Sequence, residues 1–486
     1  MSGQRTQDVL VVGGGLVGLT AALVLRHHGV PVTVVERRTT TSPQPKARRF
    51  HVRTMEIFRE LGLAGLVQEA ARDLAGHDHM AAGRTLAEAA QLPLWQPAGG
   101  PAVEVSPELP CLLAQDTLEP LLRAAAVEAG ADVRFGTPLL GFAESADEVV
   151  GRLADEEIHA RYLVAADGAR SGVREALGIT RSGRGAIGEP NVNVYFQADL
   201  AAVVRGREFN LCRIDHPQAP GGFASVDGRR RWVFMSPGGD TGRDWPALVR
   251  TALGVPAPDL AILSVLAWQS EMLVADRYST RRVHLVGDAA HVMPPFAANG
   301  ANTGIADVHN LGWKLAAVLR GEASPELLDS YHAERRPAGW FVADQSTRRA
   351  ETFSLGTSDP TLAHPFVLAA GGFQYAEGAL VPDGSTEPVT EFAPAGRVGT
   401  RVPHRWLDDT RSRSTLDLAG PDWAVLTGDR VDFLGTDECL LLRPDHVVAW
   451  RGGSATEAAE VRAALLAAQQ PARTLGLPTP PPAATR

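Results

Sequence analysis

The feature that most constrains the fold of this chain is a glycine pattern near its start, Gly13-x-Gly15-x-x-Gly18. The apolar run at 8–12 precedes the pattern and predicts a buried strand, and a helix to about His28 follows it. Glycines at this spacing, between a strand and a helix, allow a tight turn and close approach of a pyrophosphate to the helix N-terminus. The pattern therefore predicts a Rossmann-like, dinucleotide-binding fold.

An acidic residue completes this prediction. The apolar run at 31–36 indicates a second strand, and Glu36 closes it 18 residues after Gly18. A carboxylate in this position hydrogen-bonds the ribose of a dinucleotide. Leu16 and Val17, at the start of the helix, belong to the same predicted site.

Composition and charge exclude several other classes of protein. The chain has 486 residues, 44% of them hydrophobic and 21% charged, which is typical of a globular protein. Its 47 Lys and Arg residues against 56 Asp and Glu residues give a net charge of −9, without a long basic run. We therefore expect no nucleic-acid partner. No uninterrupted apolar run of about 18 residues is present, so we expect no transmembrane helix and no membrane partner.

The three cysteines, Cys111, Cys212 and Cys439, are far apart and form no CxxC pair. This usage indicates a reducing compartment, with neither a disulfide framework nor a thiolate metal site. We therefore predict a cytoplasmic protein without a metal centre.

The order of strand and helix patterns predicts an α/β fold in which one domain interrupts another. In the inserted part, short strands are expected, with a hairpin turn at Asp227-Gly228. The predicted limits are 1–180 and 270–355 for the dinucleotide-binding domain, 181–269 for an inserted β-rich domain, 356–395 for an irregular linker, 396–469 for a C-terminal domain and 470–486 for a disordered tail.

Two predicted helices contain a proline. A helix is predicted at 115–130 despite Pro120; if it starts at Thr117, Pro120 falls in its first turn, where a proline is tolerated. The helix at 325–350 is expected to break at Pro337.

A second literal GxGxxG pattern occurs at Gly183, Gly185 and Gly188. A polar stretch precedes it, and Glu189-Pro190 follow it, so we predict no strand before it and no helix after it. We interpret this pattern as a loop and not as a second nucleotide site.

Two short motifs follow later apolar runs. Asp167-Gly168 comes after the strand pattern YLVAA, and Gly287-Asp288 comes after VHLV. Each alone is typical of an ordinary turn. Their order along the chain, together with the first glycine pattern, is more specific.

In this order the three motifs resemble those of the single-component (class A) FAD-dependent aromatic hydroxylases, which have the para-hydroxybenzoate hydroxylase fold. The similarity is greatest to the aromatic-polyketide branch and covers about 1–350. The stretches that carry it are RTMEIFRELGL, QDTLEPLL, ADGARSGVRE, GDAAHVMPPFAANGANTGIADVHNLGWKL and YHAERRP.

The resemblance implies a Rossmann-like FAD-binding domain, an inserted β-rich substrate domain and a C-terminal thioredoxin-like domain. The stretch RPDHVVAWR at 443–451 is similar to the thioredoxin-like unit, which here lacks CxxC. We expect that unit to have a packing or dimer role.

The resemblance also implies which residues contact the cofactor. Lys46 stands where an arginine is usual, and Gln115 and Asp288 would contact the phosphate or ribityl region. Asp167 and Gly168 would serve both FAD and a transient NAD(P)H site. The residues with implied cofactor contacts are Gly13, Gly15, Leu16, Val17, Gly18, Glu36, Lys46, Gln115, Asp167, Gly168, Gly287, Asp288, Gly300, Ala301 and Asn302.

The segment 297–302 leads into a predicted helix that runs from about Asn302 to Leu319. Free N–H groups at this helix start would face the pyrimidine edge of the flavin and stabilise negative charge there. Pro294 would line the pocket at the flavin face together with Pro295 and Phe296.

The implied catalytic residues are Pro295, Asn302, Arg49 and His51, and the implied substrate-pocket residues are Phe296, Tyr195 and Arg213. Each of Arg49, His51, Tyr195 and Arg213 also has a purely structural interpretation. Only a position within hydrogen-bond reach of the substrate would favour the functional one.

The resemblance implies that NADPH or NADH reduces FAD, that O₂ then gives a flavin C4a-hydroperoxide, and that a phenolic ring attacks its distal oxygen. The expected substrate is a polycyclic aromatic of the polyketide type. No separate reductase is expected, because one chain carries both the FAD fold and the Asp-Gly turn. The sequence does not determine whether the chain forms a homodimer.

Alternatives on the same scaffold are Baeyer–Villiger oxygen insertion and epoxidation, which the sequence does not separate from hydroxylation. A related halogenase would carry WxWxIP, and none of the nine tryptophans lies two residues from another. A non-catalytic binding protein on the same fold is disfavoured by the presence of Glu36, Asp167 and Asp288.

Overall fold

Two large β-sheets, a smaller C-terminal sheet and a two-stranded ribbon organise the chain. The computed structural model describes residues 7–93, 104–352, 361–371, 374–385, 389–392, 394–434 and 438–467. In chain order the strands are β1 (Gln7–Val12), β2 (Val32–Glu36), β3 (Arg49–Phe50), β4 (Met80–Gly83), β5 (Ala90–Gln91), β6 (Cys111–Leu112), β7 (Asp132–Phe135), β8 (Gly141–Glu144), β9 (Val149–Arg152), β10 (Glu157–Ala165), β11 (Arg181–Gln197), β12 (Leu211–Ile214), β13 (Gly221–Ser225), β14 (Arg231–Pro237), β15 (Ala261–Ala275), β16 (Val283–Leu285), β17 (His291–Val292), β18 (Ala424–Leu426), β19 (Cys439–Leu442) and β20 (Val448–Gly452).

The helices are α1 (Leu16–His27), α2 (Val52–Glu60), α3 (Ala64–Ala70), α4 (Gln115–Glu128), α5 (Gly172–Ala176), α6 (Ala201–Val204), α7 (Trp245–Leu253), α8 (Asn299–Leu319), α9 (Asp329–Thr352), α10 (Pro365–Ala369) and α11 (Ala455–Leu466). Short 3₁₀ turns at Gly287–Ala289 and Phe296–Ala298 lie between β16 and α8.

The first sheet contains the predicted βαβ unit. Its strand order is β7-β2-β1-β10-β9-β8, with β16 beside β10. The strands β2, β1, β10 and β16 run parallel, and α1 connects β1 to β2. The central residues of β1, Val9–Val11, are fully buried, because α1 packs against both α4 and α8 over this sheet. The carboxyl ends of β1, β10 and β16 meet at one edge, where ligands of such sheets bind.

The second sheet contains two long strands where short ones were predicted. Its order is β17-β15-β11-β14-β13-β12-β4-β5, and β11 alone has 17 residues. The pattern Gly183-x-Gly185-x-x-Gly188 lies inside β11, so its interpretation as a loop is wrong. The pairing of β11 with β15 shifts register between Gly183 and Gly185 and again between Ile187 and Asn191. These β-bulges absorb the glycines, so the strand continues through residues that usually mark a turn.

The predicted helix at 115–130 is confirmed as α4, which starts at Gln115, so Pro120 lies beyond its first turn. The predicted break at Pro337 is wrong, because α9 runs unbroken through that residue. Pro120 and Pro337 both lie on exposed faces, where solvent can hydrogen-bond the backbone carbonyl that each proline frees. Helix α8 also starts three residues earlier than predicted, at Asn299.

The mixed α/β fold class is confirmed. The hairpin turn at Asp227-Gly228 joins β13 to β14 as predicted, and the Asp227 side chain accepts hydrogen bonds from three following backbone N–H groups. The second sheet also takes β4, β5 and β17 from outside 181–269, and the domain limits themselves stay a prediction. The predicted tail at 470–486 lies outside the described residues, as does part of the predicted linker at 356–395. Within the described ranges, none of the helices has the length and apolar character needed to span a bilayer.

The C-terminal unit consists of the antiparallel sheet β18-β19-β20 with α11 packed on β19 and β20. A buried ionic cluster joins it to the first domain. Both guanidinium Nη atoms of Arg443 donate to Glu334 of α9 at 2.8 Å, and its Nε donates to Asp445 at 2.8 Å. Lys314 of α8 donates to the same Glu334 at 2.8 Å. Burial alone would raise the pKa of Glu334, but the charges of Arg443 and Lys314 hold it below its usual range.

We predict that Arg443→Leu lowers the free energy of unfolding by about 3–5 kcal/mol, because Glu334 and Asp445 would stay buried without their main partner. The matched control is Arg72→Leu, which breaks the exposed pair with Glu69 and should cost less than about 1 kcal/mol. Urea unfolding followed by tryptophan fluorescence measures both variants. Equal losses in the two variants would show that the buried cluster is unimportant for stability.

Candidate active site

The three sequence motifs lie together at the carboxyl edge of the first sheet. Val286, just before Gly287, donates its N–H to the carbonyl of Ala165 at 3.0 Å, and Ala166 donates to Val12 at 2.8 Å. The turns after β1, β10 and β16 are therefore neighbours. The parallel strand order brings together segments about 150 and 120 residues apart in the chain, as expected for a nucleotide site of this fold.

Different physical reasons account for glycine at the three positions of the first motif. A Cβ on Gly13 would lie 2.3 Å from the carbonyl oxygen of Ala166, and a Cβ on Gly18 would lie 1.8 Å from that of Gly13. Both positions are fixed by packing between α1 and the sheet. A Cβ on Gly15 would meet nothing closer than Glu119 Oε1 at 3.6 Å. The fold itself therefore does not require glycine at position 15, and the open space above it suits a ligand at the N-terminus of α1.

Glu36 lies at the end of β2 beside the first motif. One of its carboxylate oxygens accepts from the N–H of Gly14 at 2.8 Å, and the other accepts from the N–H of Arg38 at 2.9 Å. The carboxylate is thus held rigidly at the edge where the ribose was predicted to bind. Leu16 and Val17 form the first turn of α1, and Val17 packs against Gly287.

Gln115 is the first residue of α4 and is connected to the same edge of the sheet by the buried carboxylate of Glu119, which the sequence analysis did not identify. Its side-chain oxygen accepts from Ala47 N–H at 3.1 Å, and its amide donates to Glu119 at 2.6 Å. Glu119 is fully buried and also accepts from the N–H groups of Leu16 at 3.1 Å and Ser42 at 2.8 Å. The sequence signal for Glu119 is only its position four residues after Gln115 in a predicted helix, since Leu16 and Ser42 are 103 and 77 residues away.

Asp167 follows β10, and one of its two carboxylate oxygens lacks a partner. Oδ2 accepts from Val173 N–H at 3.1 Å at the start of α5, whereas Oδ1 is buried without a hydrogen bond among the described residues. Burial raises the pKa of Asp167. Gly168 has a φ of +85°, and a Cβ added to it would meet no atom within 4 Å, so the turn is open on this side. Such an orphaned oxygen beside an open turn fits contact with a ligand.

Asp288 lies in the short 3₁₀ turn after Gly287. Its side chain is exposed to solvent, yet nearby protein atoms desolvate it enough to raise its pKa, against the charges of His291 and Lys46. Lys46 is exposed, and its charge acts on the Asp288 carboxylate; its contact with the cofactor stays a prediction. The N–H of Gly287 donates to Asp307 of α8 at 3.0 Å, which fixes the turn.

The segment before α8 carries several predicted site residues. Pro294 is buried, Pro295 is exposed and Phe296 is half-buried. Gly300 and Ala301 lie in the first turn of α8 and not in a loop, and both are half-buried. The nearest atom to a Cβ on Gly300 would be Met293 Cγ at 4.0 Å, so the helix start is not sealed by the protein.

The side chain of Asn302 has no hydrogen-bonding capacity left for a ligand. Its Oδ1 accepts from the N–H of His51 at 2.9 Å and from Thr54 Oγ1 at 2.6 Å. Its Nδ2 donates to the carbonyls of Arg49 at 3.1 Å and Ala298 at 2.7 Å. We therefore interpret Asn302 as a positioning residue, and its predicted catalytic contact does not fit this geometry.

His51 and Arg49 lie beside the same segment. His51 Nε2 is 2.9 Å from the carbonyl oxygen of Ala297, so Nε2 carries the proton, and Nδ1 is buried without a partner among the described residues. Burial, aided by the charge of Arg49, lowers the pKa of His51 to about 4. Arg49 is half-buried in β3.

The predicted substrate residues separate in the structure. Tyr195 is buried, and its hydroxyl donates to Asp116 Oδ2 at 3.2 Å. Arg231, which follows the Asp227-Gly228 turn, donates to the same oxygen at 2.9 Å. Burial raises the pKa of Tyr195. Arg213 is exposed on β12 and pairs with Asp215 at 3.1 Å.

A buried group of Glu60, His309 and His446 has donor atoms within 4.8 Å of one another, but its hydrogen bonds do not suit a metal. Arg53 donates to Nδ1 of His446 at 2.8 Å and to Nδ1 of His309 at 3.2 Å. Because arginine only donates, both Nδ1 atoms accept, and both Nε2 atoms carry protons that point at Glu60. A metal-bound histidine instead donates from its second nitrogen, so these residues form a hydrogen-bonded cluster.

Comparison with known proteins agrees with this geometry. The fold and site define a flavoprotein of the aromatic-hydroxylase class, and the model of the FAD binding domain family matches residues 6–346. The chain belongs to this family. It is an FAD-dependent monooxygenase, and its branch is that of the aromatic-polyketide hydroxylases.

Three relatives illustrate the similarity. Tetracenomycin B2 monooxygenase-dioxygenase of Streptomyces olivaceus is 38% identical over 92% of this chain and 96% of its own length. Aklavinone 12-hydroxylase of Streptomyces peucetius is 38% identical over 86% of this chain and 91% of its own. The solved structure of aklavinone-11 hydroxylase with FAD and aklavinone has a TM-score of 0.81, with 31% identity, and covers 96% of this chain and 99% of that one.

The residues present fit FAD. Three features lie at one edge: the open space above Gly15, the exposed Asp288, and the buried Oδ1 of Asp167, which has no hydrogen-bond partner among the described residues. The individual cofactor contacts stay predictions.

We predict that Gly15→Ala folds normally but loses FAD affinity by about tenfold or more, because an added methyl in a filled contact costs about 1–3 kcal/mol. Gly18→Ala is the contrasting variant, because its methyl would overlap the Gly13 carbonyl and should prevent folding. FAD titration of apo-protein, with circular dichroism for folding, measures both. Normal FAD affinity in Gly15→Ala would place the pyrophosphate elsewhere.

We predict that protonation of His51 destabilises the protein in acid. The pKa of His51 is about 4 when folded, against 6.5 ordinarily, so its contribution is complete above about pH 6.5 and decreases as pH falls towards 4. The loss by pH 4 is about 3 kcal/mol. Urea unfolding at several pH values should show a shallower pH dependence for His51→Phe than for the natural chain. Parallel profiles would contradict the assignment.

Proposed function

We propose that this enzyme hydroxylates a phenolic, polycyclic aromatic substrate of the polyketide type, with O₂ as oxygen source and NADPH or NADH as electron donor. The overall reaction converts ArH, O₂, NAD(P)H and H⁺ into ArOH, H₂O and NAD(P)⁺. The tetracenomycin and aklavinone activities of the relatives support the polyketide class.

The observation that carries this proposal is the position of one face of the second sheet. In β11, Val192, Val194 and Phe196 face a core shared with α7, whereas Tyr195 faces the other side and packs with Ala114, directly before α4. Because alternate residues point to opposite faces, the face with Tyr195 lies towards the cofactor half of the molecule. A substrate bound on this face would lie between the sheet and the flavin.

The same face offers accessible apolar surface. Asn193 pairs with Leu266, and Asn191 pairs with Trp268, so both of these apolar side chains share the face with Tyr195. Leu266 is 43% exposed, and Trp268 is oriented by a hydrogen bond from its Nε1 to Asn193 Oδ1 at 2.9 Å. A flat aromatic substrate suits such a surface, because aromatic rings stack and bury large areas.

Bound FAD would accept hydride from the nicotinamide and activate O₂. The chain's own residues bind and orient. Gly15 leaves room for the pyrophosphate, Glu36 presents a fixed carboxylate to the ribose, and the free N–H groups at the start of α8 favour negative charge on the flavin's pyrimidine edge. Tyr195 and Arg231 join the substrate sheet to α4 through Asp116, which fixes the distance between substrate and cofactor.

A single chain is proposed to perform both half-reactions. Asp167 and Gly168 offer an unpartnered oxygen and an open turn beside the cofactor edge, which supports a transient NAD(P)H site there. No separate reductase would then be needed. The cysteines Cys111, Cys212 and Cys439 are unpaired, which supports a reducing, cytoplasmic setting, and a homodimer stays a prediction.

The experiment that tests this proposal starts with the absorbance spectrum of the purified protein, where bound flavin absorbs at about 375 and about 450 nm. NADPH and NADH oxidation is then measured with monocyclic phenols, naphthols and hydroxyanthraquinones under ¹⁸O₂. We expect polycyclic phenols to stimulate oxidation and to gain one ¹⁸O atom. The matched negative control is the Gly15→Ala variant prepared as apo-protein and assayed with no added FAD.

Each contrary outcome has a distinct meaning. Stimulation by monocyclic phenols alone would overturn the substrate class, and activity only with an added second protein would overturn the single-chain cycle. A ring-expanded lactone or an epoxide, identified by NMR, would replace hydroxylation by another oxygen insertion. A colourless protein that does not take up FAD would overturn the proposed function as a whole.

A further inference from the structure

Ala297 and Ala298 adopt a backbone conformation that alanine avoids. Their φ angles are 60° and 57°, in the left-handed region, and the two residues are consecutive. The crowding of Cβ lowers the population of this conformation by roughly tenfold for each non-glycine residue. The other non-glycine residues with positive φ in the described part of the chain, Arg411 and His446, stand singly. Something in the structure must therefore hold this pair.

The pair determines where a long helix begins. Ala298 is the N-cap of α8, a helix of 21 residues, and among the described residues no side chain caps its first N–H groups. Those groups are free to bind a ligand and carry the positive end of the helix dipole. A change in the backbone at 297–298 would redirect them, so the left-handed pair fixes the direction in which they point.

Two side chains hold the carbonyls of the pair. His51 donates from Nε2 to the carbonyl of Ala297 at 2.9 Å, and Asn302 donates from Nδ2 to the carbonyl of Ala298 at 2.7 Å. The two clamps also brace each other, because the backbone N–H of His51 donates to Asn302 Oδ1 at 2.9 Å. Asn302 is part of α8 itself, whereas His51 directly precedes α2, so His51 is the clamp that ties the pair to a separate part of the fold.

We propose that His51 is a positioning residue, which holds Ala297-Ala298 in the left-handed conformation and so preforms the flavin-facing start of α8. This role rests on the proposed function, which places FAD at that helix start. It also follows that His51 is needed because position 297 is alanine. A glycine there would adopt the same conformation without a clamp, since glycine populates positive φ readily.

The surroundings of His51 support positioning over proton transfer. Its Nε2 proton is committed to Ala297, and its Nδ1 is buried without a partner among the described residues, with 7% of the residue exposed. Its side chain does not cap α2, so removal of the ring leaves the start of that helix intact.

The test is a double-variant cycle on FAD affinity, with His51→Phe, Ala297→Gly and the double variant. Apo-protein is titrated with FAD and followed by flavin fluorescence. We expect His51→Phe to raise the Kd about tenfold, because the competent loop would be populated only in part. Ala297→Gly alone should bind at least as tightly as the natural chain, and the double variant should return to within about twofold of it.

The control is His28→Phe, since His28 is also buried with its pKa lowered to about 4 but lies after α1, away from the loop. Its effect on FAD affinity should not change when Ala297→Gly is added. The midpoint potential of bound flavin is the second measurement. It should become more negative in His51→Phe, because misdirected N–H groups stabilise reduced flavin less, and it should recover in the double variant.

The outcomes distinguish failure of the His51 clamp from failure of the proposed function. A double variant as weak as His51→Phe would overturn the clamp. If His51→Phe alone does not fold, the double variant decides, and its failure to fold or to bind FAD would also overturn the inference. If the natural chain does not bind FAD, the proposed function fails. The clamp is then tested by urea unfolding of the apo-proteins: Ala297→Gly should raise the free energy of unfolding more in the His51→Phe variant than in the natural chain, and equal effects would overturn the clamp.

Discussion

The arrangement of the site depends on one buried carboxylate, that of Asp307 in α8. It accepts from the N–H of Gly287 at 3.0 Å, from His291 Nε2 at 2.8 Å and from Arg335 of α9 at 2.8 Å. Burial alone would raise the pKa of Asp307, but the charges of Arg335 and His291 keep it low, so the group stays ionised and strongly bonded. One side chain thereby fixes the Gly287-Asp288 turn, the direction of α8 and the position of α9.

The same helix continues the polar connection to the C-terminal unit. Asn310 and Lys314 follow Asp307 at spacings of three and seven residues, so they lie on one face of α8. Both donate to Glu334, which in turn accepts from Arg443 of the C-terminal unit. The two buried groups meet at Tyr375: Arg335, the partner of Asp307, donates to the Tyr375 hydroxyl at 2.9 Å, and the guanidinium of Arg443 lies 5.6 Å from the centre of the Tyr375 ring. The C-terminal unit is therefore joined to the first domain through buried polar contacts along α8 and α9.

The fold was predictable where local pattern and topology agree. The βαβ unit, the parallel sheet and the meeting of the three turns follow from apolar runs and from the rule that strand ends of a parallel sheet share an edge. The long strands β11 and β15 were not predictable, because bulges let Gly183, Gly185 and Pro190 sit inside a strand. The unbroken helix at Pro337 depends on solvent exposure of that residue, which no local pattern shows.

The site was predictable in its motifs and less so in its supporting residues. Gly15, Asp167 and Asp288 follow strands and are recognisable, whereas Glu119 and Arg231 act through partners more than 75 residues away in the chain. Asn302 shows the converse difficulty. Its position beside the helix start suggested catalysis, and only its four hydrogen bonds within the protein reveal that it is committed to structure.

The composition of the second sheet limits how this enzyme can be recombined. Strands β4 and β5 come from residues before 92, and β17 comes from residues after 290. The sheet is therefore built from three separate stretches of the chain, with parts of the first domain between them. A chimera that exchanges the contiguous segment 181–269 with a relative would cut β15 between Gln269 and Ser270 and leave three strands of the host beside foreign ones. The residues that determine substrate range therefore come from separate segments of the chain. Substitutions on one face of the sheet are a better way to change substrate range than the exchange of one contiguous segment.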